Sequence, residues 1–282
     1  MKLSGLIRYF CVAALLLMVS PLFATSADVN APASLPPPIS SATLNIPAPP
    51  ARMSPELALE VHDARVFRQA RELGEYKDVT TIDAELPQTA QKGRYQLLRM
   101  FSAPKSLAFK AVNFVGDGFV KTNVIARLLQ SEVNHAEKGP DDGNLAITTK
   151  NYKFNYKGLS DVNGHLVHVY QVKPRHKRVG LFKGMVYLDV YTGAIRRAEG
   201  KMVKSPSFFV KNIQFVQDYA EVNGFDLVSH IHSTADARIV GKTIIDITHK
   251  DFEARRIDQV QTSTPSTTEV PMVRTVSLNS GR

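Results

Sequence analysis

Cysteine is nearly missing from this chain. The one present, Cys11, lies inside the apolar run FCVAALLLMV from Phe10 to Val19. Lys2 and Arg8 precede that run, and the small residues Ala24-Thr25-Ser26-Ala27 follow it. A basic start, a short apolar stretch and a small-residue end predict a secretory leader over residues 1–27. The rival is an uncleaved anchor, for which the run is short. Tyr9-Phe10 stands before Cys11 where a lipid-modified cysteine would need a small residue, so no lipid anchor is expected there. Beyond the leader no thiol is left, which excludes disulfides, thiolate metal sites and a cysteine nucleophile. The exported protein must rest on its hydrophobic core, and about 200 residues suffice to build one.

Tryptophan is absent, which removes the usual stacking platform for sugars and weakens any glycosidic reading of paired carboxylates. Acidic residues are fewer than basic ones, with a formal net charge of +9. Taking Lys2 and Arg8 away with the leader leaves +7. That charge suits solubility, anionic headgroups or an acidic partner. No nucleic-acid motif is present, and none is expected in an exported chain. There is no G-x-S-x-G elbow for a hydrolase. Gly116-Asp117-Gly118 precedes a helix, but it lacks the further glycines of a phosphate loop and carries an acid that repels anions. Neither a catalytic residue nor a cofactor is expected.

What is present is a long alternation of strands and turns. Residues 28–52 are rich in Ala, Pro and Ser and predict an extended tether. Ser54-Pro55-Glu56 is a helix start with a capping serine, followed by Leu57, Val61, Ala64, Phe67 and Ala70 at helical spacing. The spacing predicts one apolar face, with Gly74 as the stop. Strands are expected over 78–86, 95–101 and 107–115, then a second amphipathic helix over 118–138. Its Val120, Val124, Leu128 and Leu129 form a broad stripe that must pack on something extensive or cover a greasy cavity. Tyr152, Phe154 and Tyr156 then alternate with polar residues, and Asn163-Gly164 and Asn223-Gly224 signal hairpins. At least six antiparallel strands follow in a meander up to about residue 252. Residues 256–282, rich in Thr, Ser and Val, predict a disordered tail. The fold class expected is therefore α+β. A strongly curved antiparallel sheet, an open half-barrel over residues 53–255, is covered by two helices.

His230 and His232 share one face of a strand, and His249 or Asp246 on the next strand would be needed to complete a zinc set. The alternation puts Leu227, Ile231 and Ile239 on the opposite face, so solvent-side histidines are expected rather than a metal site. Asp236 and Asp246 have no serine–histidine arrangement beside them. Ser205-Pro206-Ser207 reads as a corner between strands, because proline interrupts the ladder.

A curled sheet with only two helices over it leaves room for an apolar cavity suited to acyl chains. The candidate wall residues are Leu107, Phe109, Tyr152, Phe154 and Tyr156, together with Ile213, Phe215, Tyr219 and Ile231; the alternative is that they simply form core. Lys173, Arg175, Lys177, Arg178 and Lys183 at the rim are candidate headgroup contacts, or else a solvated loop.

The segments DGFVKTNVIARLLQSE, VYQVKPRHKRVGLFKGMVYLDVYTGAIRRAEG and VKSPSFFVKNIQFVQDY resemble the LolA/LolB-like superfamily. Within it they resemble a bacterial group of exported proteins similar to outer-membrane lipoprotein-sorting proteins. The resemblance spans about residues 53–254 and implies a half-barrel that takes acyl chains without doing chemistry. It implies no catalytic residue, since the superfamily binds acyl chains rather than doing chemistry, and no short motif maps its cavity residues onto this chain. The expected function is periplasmic binding of lipid or lipoprotein acyl chains for sorting. The alternatives are an envelope sensor or scaffold that binds a partner such as a membrane protein, and a small exported hydrolase.

Overall fold

The computed structural model describes residues 51–138, 145–205, 210–238 and 240–262. The leader, nearly all of the tether, the Pro206 corner, Ile239 and the last twenty residues lie outside them.

Ten strands form one antiparallel sheet in the order β3-β2-β1-β10-β9-β8-β7-β6-β5-β4. The chain enters through α1 (Pro55–Glu72). It then walks outward along β1 (Leu73–Leu86), β2 (Gln91–Ser102) and β3 (Ser106–Gly116) to one edge of the sheet. A continuous helical stretch follows: α2 (Gly118–Val120), a π-helical turn (Lys121–Ile125) and α3 (Ala126–Lys138). The next strand, β4 (Tyr152–Val162), is the opposite edge, so this stretch begins a crossing of the whole sheet. The chain then returns strand by strand through β5 (His165–Pro174), β6 (Phe182–Asp189), β7 (Ile195–Met202), β8 (Val210–Val222) and β9 (Phe225–Ala237). Last comes β10 (Gly241–Arg256), which pairs with β1 and is the one neighbour out of sequence order. The edges β3 and β4 do not pair with each other, so the half-barrel stays open.

Local chemistry sets this path. Asn163 and Asn223 adopt positive φ before Gly164 and Gly224, as two-residue hairpin turns require. Register shifts interrupt seven points along the ladders, among them Asp218/Tyr219 and Lys211/Gln214. Bulges of this kind bend strands and tighten their twist, and a ten-stranded sheet curls under that twist. Gly184 and Gly200 sit opposite each other in adjoining strands. A Cβ on Gly184 would lie 1.9 Å from the Glu199 carbonyl oxygen, so the backbones approach there as no other residue permits.

The register places one row of side chains on a common, covered face: Tyr76, Asp78, Thr80 and Ile82 of β1, Ile245 and Ile247 of β10, and Ile231 of β9. The two largest apolar clusters lie on that face. In the first, Ile82, Leu86, Leu97, Ile231, Ile245 and Ile247 close around Val120, Val124, Ile125 and Leu128. In the second, Tyr152, Tyr170, Phe182, Leu188 and Phe215 close around Ile147, with Leu59 of α1 against them. Tyr219 touches both.

Four sequence expectations are corrected. Helix α1 turns its apolar stripe outward: Leu57 is 47% and Phe67 64% exposed, and Ala64 and Ala70 are exposed with them. The buried side is Ala58, His62, Arg65 and Gln69, whose polar groups find partners on the sheet. Gly74 does not stop the helix by a left-handed cap; it lies in β1, where a Cβ would meet the Arg256 backbone at 2.9 Å. The strands also run longer than the alternation shows. In particular β10 reaches Arg256, and α4 (Ile257–Thr262) follows it where a disordered tail is expected.

Candidate functional site

Both helices lie on the covered face, but they are held in different ways. α1 is tied by polar bonds. Arg65 donates to Asp226 through Nε (3.1 Å) and Nη2 (2.6 Å), and its Nη2 reaches Glu221 at 2.9 Å. Gln69 closes a reciprocal pair with the Asp226 backbone, donating to its carbonyl at 3.1 Å and accepting from its amide at 2.8 Å. His62 Nε2 donates to the Ile147 carbonyl at 2.8 Å, Asp63 accepts from the Thr149 amide and hydroxyl, and Tyr170 donates to the Pro55 carbonyl. Burial holds His62 neutral by lowering its pKa. Breaking the bonds of Arg65, Gln69 or His62 strands a buried polar group, which makes α1 a fixed element.

The stretch 118–138 is held by burial. Val120, Ile125 and Leu128 are fully buried and Val124 nearly so. Its anchored end is the turn at Asp117, which exchanges backbone and side-chain bonds with Lys92. Beyond that turn, the bonds of Thr122 to Gly118, Asn123 to Phe119, Arg127 to Asn123 and Gln130 to Asn134 all close within the helical stretch itself. Lys121 lies over the rings of Tyr95 and Phe114 at 5.7 and 5.0 Å. The π-helical turn falls in the buried part, a feature often found where a helix serves function rather than stability.

The register puts all nine candidate wall residues on this covered face, distributed between its parts. Ile231 lies in the first cluster, with Phe109 and Tyr219 against it. Tyr152 and Phe215 lie in the second, with Phe154. Ile213 belongs to a third, smaller group with Val210 and Ala235. Leu107 is buried opposite Phe101, whereas Tyr156 stays 40% exposed beside His168. In the covering stretch Val120, Val124 and Leu128 are buried, and Leu129 is partly so.

The covered face is not wholly apolar. Three hydroxyl oxygens on it, of Tyr76, Tyr219 and Thr243, are buried with no hydrogen-bond partner among the described residues. Below α3 lies a charged cluster that sequence reasoning misses. Arg99 donates to Asp78 at 2.7 Å, and Thr80 donates to the other oxygen of Asp78 at 2.5 Å. His249 Nδ1 approaches Thr80 at 2.9 Å and Asp78 at 3.2 Å. Burial alone would raise the Asp78 pKa, yet the Arg99 charge and these bonds hold it below the usual range. Burial pushes His249 down to about 4. Glu132 of α3 lies in this field; loss of water raises it to about 7 against the pull of Arg99. The signal in the sequence was an arginine at an inward position of β2, between Leu97 and Phe101. Threonine and aspartate compete here for one histidine nitrogen, so the group is not a nucleophile–base–orienter chain.

His230 and His232 lie on the outer face, as the alternation predicts. Both bond Asp246, at 2.5 and 2.8 Å, which keeps its carboxyl below the usual range against the effect of burial. His249 points to the covered face and cannot join them. Among the described residues no group of three or more His, Cys, Asp or Glu is arranged to hold a metal ion. Asp236 accepts from Asn212 at 2.8 Å. Of the basic rim residues, Arg175 donates to the Thr149 carbonyl and Arg178 to Asn151, while Lys173, Lys177 and Lys183 are exposed.

Comparison with known proteins gives similarity without a function. A family of unknown function, DUF5686, matches residues 147–249. No curated protein matches the chain. Among solved structures, the chain is similar to a LolA superfamily protein from Nitrosomonas europaea, at 12% identity and a TM-score of 0.34, over 71% of this chain and 93% of that one. A DUF1329 family protein from Desulfovibrio piger has 10% identity and a TM-score of 0.35, covering 71% and 92%. An outer membrane lipoprotein-sorting protein domain from Vibrio parahaemolyticus has 12% identity and 0.34, with the same coverage. The open half-barrel rests on the strand ladder itself rather than on these superpositions.

Proposed function

We propose that the protein is an exported, non-enzymatic binding protein whose half-barrel takes the acyl chains of lipids or lipoproteins beneath the stretch 118–138. The observation that supports this is the contrast between the two helices. α1 is bolted to the sheet by charged and polar bonds, whereas the four most buried side chains of 118–138 are aliphatic and pack in the first apolar cluster. An acyl chain entering there replaces aliphatic contact with aliphatic contact. The magnitudes agree. Four buried aliphatic side chains contribute roughly 6–12 kcal/mol, and a chain of about sixteen carbons brings roughly 12 kcal/mol at ~0.8 kcal/mol per methylene. The exchange is therefore close to balanced, as a carrier that must release its cargo requires. The buried hydroxyls of Tyr219 and Thr243 offer donors to an ester or acyl carbonyl.

Native mass spectrometry of the protein isolated under mild conditions tests this. One or two acyl-bearing molecules bound, and lost on solvent extraction, is the expected result. A protein that stays empty when offered phospholipid, fatty acid and lipopeptide overturns it.

A second reading, a scaffold for a partner protein, draws on the open edge strand β3, where Val112 and Val115 are 65% and 63% exposed. Strand addition is the mode such an edge supports. Val112→Lys with Val115→Lys would abolish partner capture on that reading and leave acyl binding intact on the first.

A further inference from the structure

The outer face of the sheet, turned away from both helices, carries lysines in a row across four consecutive strands. Lys153 of β4 lies opposite Lys173 of β5. The register of the Val172–Gly184 pair, carried one step further, sets Lys173 across from Lys183 of β6. Lys183 in turn lies opposite Lys201 of β7. The flanking pairs Phe154–Val172 and Gly184–Gly200 belong to the covered face, so all four lysines point outward, and all four are exposed. At a strand spacing of about 4.8 Å the row extends roughly 14 Å.

The arrangement does not help folding, because like charges directly opposite one another across strands repel. Lysines do protect sheet edges, but that accounts for Lys153 alone, since β5, β6 and β7 are interior strands. The charges are not neutralised either. None of the four takes part in an ion pair among the described residues, and Lys201 only donates to the Asn212 amide oxygen at 3.0 Å. The acids in the neighbouring outward rows are already engaged: Glu199 accepts from Tyr187 at 2.7 Å, and Asp218 pairs with Arg197 at 2.6 Å. Next to the row, the exposed His176 and Lys177 extend the basic surface past the end of β5.

We propose that this lysine row docks the protein on an anionic phospholipid bilayer through the outer face of β4–β7. Compact, hydrated ammonium charges in a planar array suit phosphates spread over a surface. A single polyanionic strand calls instead for a basic groove with stacking aromatics. The row lies on the face opposite the acyl site, so either activity can fail without the other.

The test is partition of the full chain onto vesicles of phosphatidylcholine alone or with 30 mol% phosphatidylglycerol. The leader, basic at Lys2 and Arg8, is common to the parent and every variant, so differences between variants report on the row. Binding to the anionic vesicles is expected to be at least about tenfold stronger, and to fall away in 0.5 M salt. The variant K153Q/K173Q/K183Q/K201Q should lose that preference while melting no lower than the parent, because a repulsion is removed. K92Q/K110Q/K242Q/K250Q, with the same loss of charge away from the row, should keep most of it. If the fourfold variant does not fold, K183Q and K201Q singly should each lower the ratio about two- to threefold. Equal losses in the row and control variants would reduce the effect to net charge and overturn the proposal. So would a row variant that binds like the parent. Saturable binding of inorganic phosphate that depends on the row would reassign it to a soluble anion.

Discussion

Arg65 of α1 grips Asp226 of β9 with two hydrogen bonds of 2.6 and 3.1 Å, across 161 residues of chain. Both side chains are largely buried. This clamp fixes the first helix while the stretch 118–138 rests on apolar contact, and the functional reading depends on that difference.

Removing one partner of the clamp leaves a buried charge uncompensated. Arg65→Met is expected to lower the unfolding free energy by about 3–5 kcal/mol, measured by urea denaturation. The double variant R65M/D226L should recover a substantial part of that loss, because no lone charge is left behind.

Leu128 is fully buried beneath the covering stretch. Leu128→Ala should cost about 2–5 kcal/mol of stability. The same variant should bind a fluorescent fatty acid more tightly, since the helix competes less well for the sheet. Thr122→Ala, on the exposed side, should change either quantity by no more than about 0.5 kcal/mol.

Two groups at the contact between α3 and the sheet, the buried His249 and the half-buried Glu132 of α3, titrate in opposite senses. His249 has its folded pKa lowered from 6.5 to about 4, so its contribution is complete above pH 6.5 and is lost as pH falls toward 4. Glu132 has its folded pKa raised from 4.5 to about 7, so the folded state loses stability as pH climbs from 4.5 to 7. The slopes oppose each other between pH 4.5 and 6.5, and thermal melts of the parent should vary little there. Glu132→Gln removes one slope. It should stabilise the protein at pH 8 by on the order of 1–3 kcal/mol, allowing for partial exposure. Its melting temperature should now rise from pH 5 to pH 7.

Gly184 faces the Glu199 carbonyl at a distance that excludes any Cβ. Gly184→Ala is expected to destabilise by about 3 kcal/mol or more in chemical denaturation, whereas Gly118→Ala, with open space around it, should be close to neutral.

The meander was legible because its signals are local: Asn163-Gly164 and Asn223-Gly224 at turns, the alternation of Tyr152, Phe154 and Tyr156, and the stripe of Val120, Val124 and Leu128. The buried face of α1 was not legible. Hydrophobic periodicity selects Leu57 and Phe67, but the helix is seated by Arg65, Gln69 and His62, whose partners are distant in sequence and invisible to a local pattern. The cluster of Asp78, Arg99 and His249 escaped for the same reason, as each residue looks like an ordinary surface charge until the register aligns them. The outward side of His230 and His232 could be read, since alternation fixes it. The lysine row could be read only in part: Lys173 and Lys183 stood among the basic rim residues, but Lys153 and Lys201 join them only through pairing.

Hydrogen exchange of the full chain, with and without a saturating long-chain fatty acid, tests the central claim most directly. Displacement of 118–138 by an acyl chain predicts faster amide exchange across residues 120–136 and unchanged exchange in 55–72. No change in 120–136, or opening of α1 instead, would contradict it.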